Sequence, residues 1–294
     1  MRVFVTGASG GIGSAVVPEL LGAGHDVLGL ARSDRAAEAV TAAGASVLRG
    51  DLNDPSSLRV GALECDGIIH LAFSNDFDNF EQGVAEETLA AETYAAALEG
   101  TGKPLVFTSG TPAAPGRLAA EDDPAPTEGP IAGRSRNATA VLDLATRDVR
   151  SAVVRLPRCV HERGVAYGFA SILITAARST GISGYVGDGE QRWPAVHRRD
   201  AARLYRLALE RAEPGTVLHA VADEGIAMRA IAEAIGHELD VPTRPVPPET
   251  FGMLGSVFGA DQPASSALTR STFDWEPMHP GLLADLSAGN YPQR

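Results

Sequence analysis

Along the first half of the chain, short apolar runs alternate with longer stretches in which apolar and polar residues recur at helical spacing. The runs at 2–6, 26–31, 46–49, 67–71, 105–109 and 152–156 are almost unbroken by charge. The stretches between them, at 14–22, 36–43, 55–63 and 86–98, are rich in Ala, Leu and Glu. Continuous apolar strands separated by helices predict parallel strands buried on both faces, because each crossover helix covers the sheet. The pattern therefore predicts an α/β fold with a doubly wound parallel sheet.

The rhythm breaks at 112–130, where five prolines, several acids and two glycines predict a long surface loop. Helical texture resumes at 138–146, and after residue 156 the alternation fails. Helices are expected at 169–178, 200–211 and 228–235, short strands near 216–221, and a proline-rich tail beyond. The expected division is a sheet domain over 1–160, with 190–222 returning to it, and a smaller C-terminal lid or substrate region over 161–189 and 223–294. No internal repeat interrupts this pattern.

Charge and composition narrow the function. A formal charge of −12 argues against nucleic acid and anionic membrane as partners. The uncharged run at 164–177 is too short and too glycine-broken to span a bilayer. The chain enters a strand pattern at once, without a basic segment and apolar signal core, so a cytoplasmic location is expected. Cys65 and Cys159 lack disulfide or metal-ligand spacing and read as buried apolar residues. The seven histidines are scattered, with no His-x-x-x-His pair, and no metal is expected. Glu121-Asp122-Asp123, in the proline-rich loop, reads as a solvated surface run.

The chemistry begins where the first strand ends. Gly7-Ala8-Ser9-Gly10-Gly11-Ile12-Gly13 spans the predicted strand-to-helix corner with Gly-x-x-Gly-x-x-Gly spacing. Glycine permits the tight turn and the close approach of backbone to a pyrophosphate, while the helix start presents N–H groups and a positive dipole end. This is the phosphate cradle of a Rossmann dinucleotide site. The second strand ends in Arg32-Ser33, where NAD binders place an acid for the ribose 2′-hydroxyl. A guanidinium suits a 2′-phosphate instead, so NADP is expected over NAD, although Asp34 stands only two residues later.

With these residues in place, the chain resembles the extended and atypical short-chain dehydrogenase/reductases, which include NAD(P)-dependent sugar epimerases and dehydratases. Thr6-Gly7-Ala8-Ser9-Gly10-Gly11-Ile12-Gly13 looks like their TGxxGxxG. Asp51-Leu52 resembles the pair that reaches the adenine, and His70-Leu71-Ala72 the strand end beside the cofactor ribose. Thr108-Ser109-Gly110-Thr111 falls where the family carries its catalytic Ser or Thr. Arg155-Leu156-Pro157, followed by Val160-His161, resembles the segment lining the nicotinamide. The segment from Pro194 to Ala202 is similar to Val-His-Val-x-Asp-x-Ala, and Trp275-Glu276-Pro277 to Gly-Trp-x-Pro. The resemblance implies an NAD(P)-binding protein with a small-molecule substrate, and a homodimer through the fourth and fifth helices.

The chain departs from the family at Tyr-x-x-x-Lys. Its one lysine is Lys103, preceded four residues earlier by Glu99. In the expected region stand Ala132 and Arg136 in one register, Gly133 and Asn137 in another. Arg136 retains a grip for ribose or phosphate but is no proton donor near neutral pH. The replacement acids are Tyr167, His161 and Tyr94, with Ser109 or Thr111 to hold a substrate oxygen. Three functions follow: an NADP-preferring oxidoreductase acting on a small carbonyl, imine or alcohol; a dinucleotide-binding sensor that has lost catalysis; and a nucleotide-sugar epimerase or dehydratase.

Overall fold

The structure is a computed structural model, and it describes residues 1–74, 79–129 and 131–289. Pro130, the last residue of the expected proline-rich loop, and the final five residues of the expected lid lie outside that range. Two compact units are present. One comprises 1–109, 124–155 and 202–218; the other comprises 110–123, 156–201 and 219–294.

The first unit follows the alternating pattern. Strands β1 (Arg2–Thr6), β2 (Asp26–Ala31), β3 (Ser46–Arg49), β4 (Gly67–His70), β5 (Pro104–Gly110) and β6 (Arg150–Leu156) are separated by helices α1 (Gly13–Gly22), α2 (Asp34–Ala42), α3 (Pro55–Glu64), α4 (Phe80–Leu98) and α5 (Ala132–Asp143). Sidelong capping fixes several ends. Ser33 accepts from the Ala36 N–H at the start of α2, and Asp54 accepts from the Ser56 N–H with Pro55 in the first turn of α3. Lys103, the one lysine, donates to the Cys65 carbonyl at 2.7 Å just past the end of α3. Its ammonium is thereby committed to structure.

β1 runs parallel to β2 and β4, β2 to β3, and β4 to β5. With β10 (Thr216–His219) the seven-stranded order is β10-β6-β5-β4-β1-β2-β3. The order reverses between β1 and β4, which opens a crevice at the carboxyl ends of those strands. Phe4, Ile68, Leu105 and Phe107 from the strands pack against Leu58, Tyr94, Leu98 and Val141 from the helices. α4 and α5 begin six residues before the helical pattern is expected, at 80 and 132. Gly133 explains part of this, since a Cβ there would lie 2.6 Å from Val84 Cγ1. A low helix propensity is exchanged for close approach of two helices.

The second unit holds strands that the pattern does not predict. β7 (Cys159–His161) and β11 (Asp223–Ala227) flank β9 (Arg192–His197), and β8 (Ser183–Val186) pairs with β12 (Thr243–Val246). They are short and interrupted by Pro194, Gly184 and Pro245, residues that weaken any strand signal. Helices α6 (Gly168–Thr180), α7 (Arg198–Arg211), α8 (Met228–Leu239), α9 (Gly255–Phe258), α10 (Ala267–Phe273) and α11 (Leu282–Ser287) complete the chain. Trp193, Ile174, Ile231, Phe258 and Leu282 form this unit's core.

The expectation for the 112–130 loop needs correction at its acids. Glu121 is buried and accepts from both the Thr269 N–H and its hydroxyl, at 2.7 and 2.6 Å. Asp123 pairs with Arg117, and only Asp122 is exposed as a solvated run would be. Ala119 bridges to Ala264, which ties the loop down. Among the described residues, no helix is long and apolar enough to cross a membrane. Cys65 and Cys159 are both buried, and burial pushes their thiols up to about 11 and about 12.

Candidate functional site

The Gly7–Gly13 turn lies at the carboxyl end of β1, at the switch in strand order. Gly7 has φ +69°, and a Cβ there would lie 2.9 Å from the Ala72 nitrogen beyond β4. A Cβ on Gly13 would lie 2.1 Å from the Gly7 carbonyl oxygen, so helix and turn interlock through bare backbone. Gly10 donates its N–H to the Gly7 carbonyl at 2.9 Å. Ser9 and Gly10 are exposed, Gly11 is half-buried and Ile12 is buried. No side chain caps the start of α1. An uncapped helix start behind a glycine turn is an anion cradle.

At the neighbouring strand ends some charges are paired and others are open. Arg32 and Ser33 are exposed at the end of β2. Asp34, the acid that would favour NAD, is held by Arg49 at 2.6 Å, and the same guanidinium donates to the Ser33 carbonyl at 2.7 Å. Sequence reasoning misses Arg49 because its partnership depends on the register Ala31 to Arg49 between β2 and β3. Asp51 is half-buried and accepts at 2.9 Å from the Asn53 N–H, and Leu52 beside it is half-buried.

Behind the cradle, the ends of β4 and β5 carry a buried polar network. His70 Nδ1 lies 2.9 Å from the Thr6 hydroxyl and 3.3 Å from the Tyr94 hydroxyl, while its ring stacks on Phe107. Burial, with Arg134 nearby, lowers His70 to about 3, so it is neutral at physiological pH. Burial drives the Tyr94 phenol far up, and the ring is wholly enclosed. Tyr94 is thus a core residue and no proton donor to a ligand. Leu71 and Ala72 are half-buried at the crevice. Thr108 donates to the His70 carbonyl at 2.7 Å, and Ser109 follows it, nearly buried.

The α5 helix settles where its candidate residues lie. Gly133 packs on Val84, and Asn137 donates to Glu87 and the Val84 carbonyl, so that register faces α4. Arg136 is exposed. Arg134, which the sequence does not single out, reaches inward instead. It donates to the buried Glu87 at 2.8 Å and to the Thr108 carbonyl at 3.3 Å, with its guanidinium 3.9 Å from the Phe73 ring centre.

In the second unit, His161 is buried, and its Nδ1 lies 2.7 Å from Asp285 Oδ2. Its Nε2 has no hydrogen-bond partner among the described residues. Asp285 stands 124 residues away in sequence, so no local motif reveals it. His197 sits beside the pair, 3.9 Å from Asp285, and stacks on His279 at 4.5 Å. Burial and the two neighbouring imidazoles lower His197 to about 4. Tyr167 is half-buried at the start of α6, and Pro157 is buried. Thr111 is buried with an unpartnered hydroxyl.

His197, Asp200 and His279 offer ligand atoms within 4.8 Å of one another. The Asp200 carboxylate, however, already accepts from the Met278 and His279 N–H groups and contacts His279 Nδ1 at 2.8 Å. The Asp200 carbonyl accepts from the Trp275 indole at 3.1 Å. The sequence segments around Asp200 and Trp275 thus form one structural joint.

The comparisons agree with this geometry. The model of the family described as NAD dependent epimerase/dehydratase matches residues 3–221. An uncharacterized protein of Schizosaccharomyces pombe is 41% identical over 99% of this chain and 100% of its own length. One from Saccharomyces cerevisiae is 43% identical over 99% of both. Among solved structures, the Thermus thermophilus UDP-glucose 4-epimerase in complex with NAD has a TM-score of 0.77 at 21% identity, covering 98% of this chain and 97% of its own. A Streptomyces venezuelae dTDP-glucose 4,6-dehydratase with NAD bound has a TM-score of 0.78 at 18% identity, covering 98% and 95%. Those two likenesses establish the shared fold. The family match and the two full-length relatives go further: this chain belongs to the NAD dependent epimerase/dehydratase family.

Proposed function

We propose that this protein is an NADP-preferring oxidoreductase that acts on a small organic carbonyl, imine or alcohol. The observation that carries the reading is the Gly7–Gly10–Gly13 turn, where a side chain at Gly7 or Gly13 would strike backbone. Bare backbone lets the turn close tightly on the β4 end and on α1, the packing that a dinucleotide-binding turn requires, so the residues fit a nicotinamide dinucleotide. Arg32 supports the 2′-phosphate, and Arg49 neutralises Asp34, the nearest competing acid. Asp51 and Leu52 are assigned to the adenine side, and Leu71, Ala72 and Pro157 to the ribose and nicotinamide side. Arg136, exposed on α5, is assigned to the cofactor's ribose or phosphate, and Arg134, held at the Thr108 carbonyl, is added as a second cation.

When bound, the dinucleotide supplies a hydride donor or acceptor. The chain's own work is orientation and proton supply. Ser109 holds the substrate oxygen by donating its hydroxyl proton. His161 is the acid–base group: the Asp285 carboxylate fixes the Nδ1 side of the ring and leaves Nε2 to exchange a proton. Tyr167 is the second candidate for that role.

The sensor reading has one specific observation in its favour: on α5 the Gly133/Asn137 register is packed against α4, and Tyr94 is sealed in the core. Turnover separates the two. NADPH oxidation against a panel of aldehydes, ketones and imines is expected, with His161→Ala cutting kcat by roughly a hundredfold while NADPH affinity holds. Tight binding without turnover on any member would favour the sensor. Interconversion of UDP-sugars without net NADPH oxidation would favour epimerase chemistry.

A further inference from the structure

Arg158 follows the β6 strand and carries a positive charge into the second unit's core. Its guanidinium lies 5.7 Å from the Trp193 ring centre and 5.9 Å from that of Phe169. It donates at 3.2 Å to the Val257 carbonyl and also to the Gln262 side-chain oxygen. Among the described residues, no carboxylate pairs with it. Asp261, next to Gln262, is occupied by a two-point pair with Arg192 at 2.6 to 3.1 Å from its Oδ1 and 2.9 Å from Oδ2. Burial pulls Arg158 down to about 10, the response of a cation that lacks a counter-charge.

The groups around it repeat the imbalance. Trp193 is fully buried, and its indole N–H, which can only donate, has no acceptor among the described residues. The Gln262 amide donates to the Thr111 carbonyl. Thr111 is 1% exposed, and its hydroxyl is also unpartnered. A half-buried cation beside the Trp193 ring and two orphaned buried groups able to donate, one of them tied to the cation through Gln262, are costly unless a ligand satisfies them.

We propose that Arg158, Trp193 and Thr111 form an anion site that holds a carboxylate or phosphate group of the substrate. The substrate is then a small anionic carbonyl, imine or alcohol. The substrate role rests on the oxidoreductase reading above, whereas anion binding is measured without cofactor, so the two fail separately.

The test titrates the full chain with inorganic phosphate and with succinate, followed by heat and tryptophan fluorescence. Saturable binding of one anion is expected, weakened about tenfold in Arg158→Gln and several-fold in Trp193→Phe, which keeps an aromatic ring and removes the N–H. NADPH affinity should be unchanged in both. Preference for phosphate assigns a phosphorylated substrate, and preference for succinate an organic acid. Should Arg158→Gln fail to fold, Arg158→Lys, expected to retain partial affinity, and Trp193→Phe carry the test. Binding of neither anion by the wild type, or variants that bind as it does, would overturn the proposal.

Discussion

At the scale of single residues, backbone dominates the cradle. The Gly13 contact to the Gly7 carbonyl leaves no flexible side chain to move aside, so Gly13→Ala must shift either helix or turn. We expect that variant to lose NADPH affinity by at least about tenfold and stability by roughly 1–3 kcal/mol, read by calorimetry and thermal melting. Retained affinity would mean the turn is not the phosphate site. Charge acts more gently at the strand ends, where groups are exposed and screened. Arg32→Asp should move preference toward NADH. Arg49→Gln should release Asp34 and weaken NADPH by about fivefold, consistent with roughly 1 kcal/mol for an exposed charged contact. Equal Kd values for both nucleotides in wild type and variants would place the 2′-phosphate elsewhere.

At the scale of elements, the account turns on what is local. The glycine turn, its flanking strand and helix, and the six alternating strands are all set by neighbours in sequence, and all are legible there. Arg49, Arg134 and Asp285 are not, because each meets its partner through a crossover, a helix pairing or a long return of the chain. The strands of the second unit escape the pattern for a related reason. Each is short, and Pro194, Gly184 and Pro245 are tolerated only because neighbouring elements fit around them. The Gly184 position, for example, is filled by Val246 across the β8–β12 pair. The joint at Asp200 is a consequence of that architecture. Asp200→Ala strands the Met278 and His279 N–H groups and removes the contact to the His279 ring, while the backbone carbonyl that accepts from Trp275 stays, and it should cost about 2–4 kcal/mol, measured as a loss of Tm. A neutral variant would show that the segment beyond α10 is held by other contacts.

At the scale of the whole molecule, buried neutral histidines set the acid limit. His197 and His70 sit at about 4 and about 3 in the folded chain, below the ordinary histidine value near 6.5. The unfolded chain therefore binds more protons between those values, and stability rises with pH across that window. Stability is complete above about pH 6.5 and falls toward pH 4 by several kcal/mol, at most about 1.4 kcal/mol per pH unit for each histidine. Denaturation midpoints measured from pH 4 to 8 check this, and a flat profile would contradict it. The central claim is that the crevice at the β1–β4 switch binds a nicotinamide dinucleotide with its 2′-phosphate on Arg32. Calorimetric titration of the purified chain with NADPH and with NADH tests it most directly. The account predicts one-to-one binding of NADPH, with NADH bound at least several-fold more weakly; failure to bind either nucleotide would contradict it.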